Sequence, residues 1–223
     1  MNILAKFGIL ILAYIIGSIP WGFILVKLIT GKDVREVESG RTGGTNTMRA
    51  TGFTLGFITS MLDILKSASS VWIARYFFPE FFWLHVWAAF VAVIGHNYSI
   101  FLIKKDQEGK ISFGGGAGGT PAIGGIVGLW WPSILILVPT GYFIVMVIGY
   151  ASLATMSLPL IGSIIFLIRF IRLDEPWQYI FAGLLPELLI LWALRPNIKR
   201  LIAGTERLVG FRAKNKEIEI SPE

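Results

Sequence analysis

One segment of this otherwise apolar chain gathers the residue types that an anion-binding site needs. Residues 39–49 read SGRTGGTNTMR and directly follow the first long apolar run. The glycines let backbone amides turn toward a ligand, the hydroxyls and the amide supply hydrogen bonds, and two arginines carry fixed positive charge. This combination predicts a phosphate pocket. A flexible polar connector is the alternative, because loops rich in glycine, serine and threonine are common.

A second glycine-rich segment comes just before the fourth apolar run. Residues 113–121 read FGGGAGGTP. Backbone donors at the start of a helix suit an anion. Because this segment carries no cation, a hinge that lets helices pack closely is an almost equally good interpretation.

Three ionisable side chains near the ends or middles of apolar runs are further candidates. His96 lies toward the end of the third run, where it could face both glycine-rich segments. An interfacial hydrogen-bonding role is the alternative for this histidine. Asp63 and Lys66 lie three residues apart on one face of the second run, and we favour a structural ion pair beside the site over a catalytic dyad.

The elements that must position these residues are membrane-spanning helices. The 223 residues are 54% hydrophobic and 15% charged, with a mean hydropathy of +0.69, which is far from the composition of a soluble domain. Runs of roughly 20 apolar residues are long enough to cross a hydrocarbon core of about 30 Å. The composition predicts one all-α integral membrane domain over residues 1–223. The apolar runs are 4–29, 53–79, 81–103, 121–149, 151–171 and 176–194.

The distribution of basic residues predicts the topology. Loops 30–52 and 104–110 and the tail from about 195 are basic, so all three should lie in the cytoplasm. This requires run 121–149 to cross twice, as two short helices hinged near residues 131–132. The prediction is about seven transmembrane helices, with the N-terminus outside and the C-terminus cytoplasmic. A single long tilted helix, with one basic segment violating the rule, is the alternative.

Composition also excludes some classes of function. The net charge of +6 is explained by basic residues beside the apolar runs, so it does not indicate a nucleic-acid partner. The chain has no cysteine, which excludes a disulfide framework, a zinc–thiolate site and a cysteine nucleophile. The basic tail is typical of a segment that lies along anionic lipid headgroups, and Asn197 within it could also reach the pocket.

Seven stretches in this order resemble the bacterial acyl-phosphate:glycerol-3-phosphate acyltransferases, the PlsY family. The similarity covers nearly the whole chain. The matching stretches are residues 17–20, 39–49, 62–66, 95–98, 113–121, 150–154 and 197–206. The resemblance implies a seven-helical fold and a site on the cytoplasmic face of the bacterial cell membrane.

The resemblance also implies a reaction and a set of residues. The reaction would transfer a fatty acyl group from acyl phosphate to glycerol 3-phosphate, giving lysophosphatidic acid without a metal or cofactor. A soluble enzyme that produces acyl phosphate is a further candidate partner, beside membrane lipids. The catalytic candidates are Ser39, His96 and Asn197. The candidates for binding substrate phosphate are Arg41, Thr45, Asn46, Arg49, Gly115, Gly116 and Gly118.

The chain departs from the family pattern at five positions. Gly114 and Ala117 stand where the family has lysines, Leu194 stands where it has a histidine, and Glu38 and Arg41 stand where glycine and asparagine are usual. We expect Arg41 to replace the missing charge, with Lys104, Lys105 or Lys110 helping. Two alternatives stay open. One is a family member that binds a phosphorylated lipid or metabolite without the standard reaction. The other is a small transporter, which the scarcity of charge within the runs disfavours.

Overall fold

The chain folds into a bundle of apolar helices with a short β-hairpin at one end. The structure, a computed structural model, describes residues 3–105 and 108–213; the tail residues Lys214 and Lys216 of the basic segment lie outside this part. The helices are α1 (Ile3–Ser18), α2 (Trp21–Thr30), α3 (Gly44–Thr51), α4 (Phe53–Phe77), α5 (Phe82–Asn97), α6 (Gly119–Leu129), α7 (Ile134–Phe143), α8 (Ala151–Leu173), α9 (Phe181–Ala193) and α10 (Arg195–Ile202), and the strands are β1 (Ser99–Lys105) and β2 (Ile111–Gly114).

The first and fourth apolar runs are each interrupted. The first run divides into α1 and α2 at Ile19 and Pro20, because proline has no N–H for the helical ladder. The fourth run divides at a short 3₁₀ turn, Trp131–Ser133, which separates α6 from α7. The predicted hinge near residues 131–132 is therefore confirmed as a break in the helix. Whether the two halves cross the membrane separately stays a prediction.

The third apolar run is shorter as a helix than the sequence predicted. It was expected to be helical to residue 103, but α5 ends at Asn97 and the chain continues as β1, which pairs antiparallel with β2. Ser99 fixes the change of direction, since its Oγ donates a 2.6 Å hydrogen bond to Ser18 O of α1. The prediction of an all-α fold was wrong for this hairpin, because β-branched and aromatic residues at 100–103 favour a strand once the helix has ended.

Small residues let the helix backbones approach closely. A Cβ on Gly17 of α1 would lie 2.2 Å from Ala92 O of α5, and one on Gly124 of α6 would lie 2.2 Å from Ile64 O of α4. Such contacts replace the hydrophobic driving force that is absent between helices in lipid. The main buried cluster extends between α4, α5, α6, α8 and α9, with Ile126 and Phe166 almost completely enclosed.

Several helices have the length and composition to cross a bilayer. Three candidates are Ile3–Thr30, Trp131–Ile148 and Ala151–Leu173. A fourth is the pair α9 and α10, if the 72° bend between them belongs to one span. Helices α5 and α6 are apolar but shorter than a full crossing. The structure therefore supports an integral membrane protein and leaves the count of seven untested.

Candidate active site

A cavity at one end of the bundle brings together the glycine-rich segments, the end of α5 and the tail. Of the ten residues predicted to act at the site, eight line this cavity: Ser39, Arg41, Thr45, Asn46, Arg49, His96, Gly118 and Asn197. Gly115 and Gly116 do not. Ser152, Glu206 and Arg207 line it as well and were not predicted. The site is therefore assembled from segments far apart in the sequence.

Three helix N-termini open onto the cavity. Gly44 and Thr45 begin α3, Gly119 and Thr120 begin α6, and Ala151 and Ser152 begin α8; all six residues line the cavity. The first N–H groups of a helix have no partner within the helix, and the helix dipole places partial positive charge at that end. Three such ends around one cavity favour an anion such as phosphate.

Arg49 adds a full positive charge that makes no ion pair with another described residue. It lies half-buried at the end of α3 and lines the cavity, with no hydrogen bond or ion pair to the described part of the chain. Burial lowers the pKa of its guanidinium and Arg207 lowers it further, while the charges of Glu38 and Glu206 act in the opposite direction. Arginine remains charged at neutral pH even so. A half-buried, unpaired guanidinium is a ready partner for a phosphate.

Asn46 organises the loop that carries the first motif. Its Nδ2 lies 2.9, 3.0 and 2.9 Å from the carbonyl oxygens of Val34, Val37 and Arg41, and its Oδ1 accepts a 3.3 Å hydrogen bond from Ser39 N. Asn46 lines the cavity, and the loop backbone engages both ends of its buried amide; its binding of substrate phosphate stays a prediction. Its contacts make it a positioning residue for Ser39 and Arg41.

Glu38 explains one departure from the family pattern. Its φ of +48° lies in the left-handed region, where glycine is favoured. The side chain forms an ion pair with Arg207 of the tail. That ion pair ties the first motif to the segment after α10.

Glu206 lines the cavity and accepts hydrogen bonds from three side chains. Its Oε1 accepts hydrogen bonds from Ser152 Oγ at 2.9 Å and Asn197 Nδ2 at 2.7 Å, and its Oε2 accepts one from Arg200 Nε at 2.8 Å. Burial acts to raise the pKa of the Glu206 carboxyl, but these three donors together hold that pKa below its ordinary value. The carboxylate therefore stays charged and keeps the Asn197 amide in one orientation.

The orientation of Asn197 decides the position of Arg41. With Nδ2 bonded to Glu206, Asn197 turns its Oδ1 toward Arg41 Nη1, at 3.4 Å. Arg41 Nη2 also donates to Ala193 O at the end of α9. Arg41 is thus held across the cavity by residues about 150 positions later in the chain.

A buried ion pair between Lys66 and Asp63 contacts His96. Lys66 Nζ lies 2.7 Å from Ile19 O, 2.8 Å from Asp63 Oδ1 and 3.0 Å from His96 Nδ1. The same Nδ1 lies 3.5 Å from Asp63 Oδ1. With Lys66 charged, its ammonium group has three donors and no acceptor, so Nδ1 accepts from it and a neutral His96 carries its proton on Nε2. The expected Asp63–Lys66 ion pair beside the site is confirmed. Its contact with His96 was not predicted.

Gly115 and Gly116 pack against the end of α5. A Cβ on Gly116 would lie 1.9 Å from His96 Nε2, and one on Gly115 would lie 2.4 Å from His96 O. Gly116 N also donates a 3.0 Å hydrogen bond to His96 O. Both glycines therefore allow a close approach of backbone and histidine, and they line a neighbouring cleft instead of the cavity.

Two of the departures from the family pattern meet in space. Leu194 is 2% exposed and belongs to an apolar cluster with Val93, Ala122 and Ile190, against which Ala117 packs. Both Ala117 and Leu194 also line the cavity. Where the family has a lysine and a histidine, this chain has one continuous apolar wall.

The residues that sequence reasoning missed had weak local signals. Glu206 and Ser152 belong to stretches that match the family, but nothing in their own neighbourhood points to a shared pocket. Arg207 follows Glu206 in a tail whose charges are explained equally well by lipid headgroups. Contacts between distant segments, which the sequence does not display, identify all three.

The comparisons with known proteins agree with this geometry. The family model described as glycerol-3-phosphate acyltransferase matches residues 7–204. A glycerol-3-phosphate acyltransferase of Thermus thermophilus is 35% identical, covering 92% of this chain and 96% of its own. One of Thermotoga petrophila is 36% identical, covering 90% and 95%.

Two solved structures are similar over most of the chain. A crystal structure of PlsY, an integral membrane glycerol 3-phosphate acyltransferase, in its glycerol 3-phosphate form superposes with a TM-score of 0.78 at 28% identity, covering 97% of this chain and 100% of that one. The lysophosphatidic acid form gives a TM-score of 0.76 at 27% identity, covering 92% and 96%. The chain belongs to the glycerol-3-phosphate acyltransferase family.

Proposed function

We propose that this protein transfers a fatty acyl group from an acyl phosphate to glycerol 3-phosphate, giving lysophosphatidic acid for phospholipid synthesis. The observation that carries the proposal is the cavity in which three helix N-termini and the unpaired Arg49 converge. Family membership makes glycerol 3-phosphate the substrate to test first. Solved relatives with glycerol 3-phosphate and with lysophosphatidic acid support substrate and product of this kind.

The reaction needs little from the protein beyond positioning. The 1-hydroxyl oxygen of glycerol 3-phosphate attacks the acyl carbonyl carbon and forms the new ester bond. The bond between that carbon and the phosphate oxygen breaks, and phosphate leaves with the electron pair and accepts the hydroxyl proton. Since the leaving group is itself a base, a protein general base is not required. Holding both phosphates and orienting the hydroxyl then dominate catalysis.

The residue roles follow from the contacts. Arg49 and the first amides of α3 bind the phosphate of glycerol 3-phosphate. His96 acts as a hydrogen-bond donor through Nε2–H, because its other ring nitrogen faces Lys66. Ser39 and Thr45 supply hydroxyls at the rim, and Gly118 leaves space at the start of α6. Asn197 holds Arg41 in position instead of touching the reacting atoms.

We further propose that the site faces the cytoplasm of a bacterial cell. The support is that the cavity, the hairpin and the basic α10 share one end of the bundle, and basic segments favour the cytoplasmic side. The same rule gives seven crossings with the N-terminus outside. A soluble enzyme that delivers acyl phosphate would meet the protein on this face.

The apolar wall formed by Ala117 and Leu194 favours a second candidate. A pocket that has lost a lysine and a histidine at these positions could bind a different phosphorylated lipid or metabolite. This reading differs from the first in one observable, the formation of lysophosphatidic acid.

The deciding experiment is a direct assay. The purified full-length protein in lipid nanodiscs is incubated with palmitoyl phosphate and glycerol 3-phosphate, and lysophosphatidic acid and free phosphate are measured together. We expect the two products in a one-to-one ratio. Release of phosphate without lysophosphatidic acid, or silence with acyl phosphates of every chain length tested, would overturn the proposal.

A further inference from the structure

Arg207, in the tail after α10, presents a further guanidinium group to the cavity. It lines the cavity together with Arg49. Among the charged groups that act on the pKa of Arg49, Arg207 has the largest effect, and it lowers that pKa. The two guanidinium groups therefore lie close enough to repel each other. An anion bound between them would relieve this repulsion.

The charges around the cavity match one phosphate group. The charged side chains that line it in the described part of the chain are three arginines and one carboxylate, a net charge of +2: Arg41, Arg49, Arg207 and Glu206. A phosphate ester carries a charge of about −1.5 to −2 at neutral pH. Ala117, where the family has a lysine, lines the same cavity, and the hairpin residues Lys104, Lys105 and Lys110 do not.

The two cavity arginines of the first motif and the arginine of the tail differ in how firmly they are held. Arg41 donates to Asn197 Oδ1 and to Ala193 O, so both ends of its guanidinium are engaged. Arg207 is paired with Glu38 at the rim, where each of the two side chains is 45% exposed. Exposed ion pairs are weak, because water screens the two charges. A phosphate dianion carries more charge than a carboxylate and can therefore displace Glu38 from Arg207.

The backbone on both sides of Arg207 is anchored. The preceding residue, Glu206, is bonded to side chains of α8 and α10. Two residues further on, Val209 N donates a 2.9 Å hydrogen bond to Gly149 O. The Cα of Arg207 therefore stays at the rim, while its long side chain has the rotatable bonds to turn between Glu38 and the cavity.

We propose that Arg207 is a second phosphate-binding residue, which exchanges Glu38 for the phosphate of glycerol 3-phosphate and holds that phosphate together with Arg49. The inference rests on the proposed function. It assigns the charge missing at Ala117 to the tail, and it gives Glu38 the task of holding Arg207 at the rim while the cavity is empty.

The test is the sign of two substitutions. In nanodiscs of phosphatidylcholine, Arg207→Gln should raise the KM for glycerol 3-phosphate about 10-fold or more, because a charge-assisted contact is lost. Glu38→Gln should lower this KM about 2- to 5-fold, since Arg207 no longer has to leave a carboxylate. If the ion pair only ties the tail to the first motif, both variants break the same contact and shift the KM in the same direction. That result would overturn the inference.

Two more variants test whether the contact is specific. Arg207→Lys keeps the charge without the planar fork, so its KM for glycerol 3-phosphate should lie between those of the wild type and Arg207→Gln. Lys32→Gln removes an exposed cation that does not line the cavity, and it should change the KM of neither substrate. In Arg207→Gln the KM for palmitoyl phosphate should stay within about 2-fold. An equal rise for both substrates, or the same rise in Lys32→Gln, would contradict a contact with glycerol 3-phosphate.

A binding measurement separates this inference from the proposed function. Calorimetric titration with glycerol 3-phosphate alone needs no acyl transfer, and Arg207→Gln should raise the Kd about 10-fold. This result supports the role of Arg207 even if lysophosphatidic acid never forms. If the wild type transfers acyl groups while Arg207→Gln leaves the Kd unchanged, the inference fails and the proposed function stands. A wild type that does not bind glycerol 3-phosphate overturns the inference as well.

The last probes identify which chemical group Arg207 contacts. Inorganic phosphate should bind the wild type and lose affinity in Arg207→Gln, whereas any binding of glycerol should not depend on Arg207. Nanodiscs containing phosphatidylglycerol test the alternative that Arg207 contacts anionic headgroups. The effect of Arg207→Gln should be the same in these nanodiscs as in phosphatidylcholine. An effect confined to phosphatidylglycerol, or an unchanged affinity for inorganic phosphate, would overturn the inference.

Discussion

At the scale of single residues, neighbouring motif positions have different tasks. Arg49 has no partner among the described residues, whereas Asn46, three positions earlier, is engaged on both ends of its amide. The same helix, α3, therefore contains a residue with no partner in the described structure and a residue that holds the preceding loop in shape. Substitutions at the two positions should separate binding from stability.

Replacing Arg49 should affect binding alone. Arg49→Lys keeps the charge but loses the planar fork that matches a phosphate with two hydrogen bonds. We expect the KM for glycerol 3-phosphate to rise about 10- to 100-fold, with a thermal midpoint close to that of the wild type. Arg172→Lys, at an exposed position on α8, is the control. A parallel loss of stability would show that Arg49 supports the fold.

Replacing Asn46 should affect stability and activity together. Asn46→Ala removes the side chain that joins the carbonyls of Val34, Val37 and Arg41. Val34 O and Val37 O keep their backbone donors, Val37 N and Gly40 N, but the side-chain hydrogen bonds are lost at about 0.5–1.5 kcal/mol each, so we expect a total loss of about 2–4 kcal/mol. Denaturation in detergent measures it. An inactive variant with unchanged stability would contradict this role and favour the prediction that Asn46 binds substrate phosphate.

At the scale of elements, helix contacts depend on glycines at particular positions. In α1, Gly17 faces the backbone of α5, with 2.2 Å between its added Cβ and Ala92 O, whereas Gly8 has no atom within 4 Å of such a Cβ. Both are glycines on the same helix, and only their neighbours differ. The pair therefore tests whether packing or helix propensity dominates.

Gly17→Ala should destabilise the protein and Gly8→Ala should not. The first change forces α1 and α5 apart and should cost about 1–3 kcal/mol. The second adds a better helix former at an open position and should gain up to about 1 kcal/mol. Thermal midpoints of the purified proteins measure both. Equal effects of the two substitutions would contradict the close packing of α1 on α5.

The join between the tail and α8 depends on the charge of Glu206. Because hydrogen bonds hold the pKa of this carboxyl below its ordinary value, its ionised form stabilises the folded state. That contribution is complete at a pH above the pKa that the Glu206 carboxyl has in the unfolded chain. It is lost as the pH falls through the lower pKa of Glu206 in the folded protein. We expect stability to decline on acidification below about pH 4.5. In Glu206→Gln this part of the decline should be absent, which unfolding curves at several pH values would reveal.

At the scale of the whole molecule, the open question is how the helices cross the membrane. Only some of them are long enough to be assigned as spans by length and composition. The distribution of basic residues gives a more specific prediction than helix length does, because it requires α6 and α7 to cross the membrane separately. The break at Trp131–Ser133 permits this arrangement without deciding it.

Cysteine labelling can decide the topology, because the chain has no native cysteine. Lys110→Cys and Lys214→Cys should react only from the cytoplasmic side of oriented membranes. Trp131→Cys, at a position that is 65% exposed, should react only from the outside. Reaction of the two lysine positions from opposite sides would disprove the seven-helix arrangement.

The sequence by itself determined the membrane class, the first motif and the break in the fourth run. Hydropathy, glycine content and proline act within a few residues, so a linear reading captures them. The resemblance to a family named ten site residues, and the structure places eight of them around one cavity.

Only the tertiary structure decided which partner each side chain has. Arg41 and Asn197 meet across 156 positions, His96 Nδ1 faces Lys66 of another helix, and the apolar wall joins Ala117 to Leu194. The short hairpin after Asn97 likewise depends on the contact between Ser99 and α1. Local sequence preferences do not specify contacts between distant segments, because these depend on how the helices pack against one another.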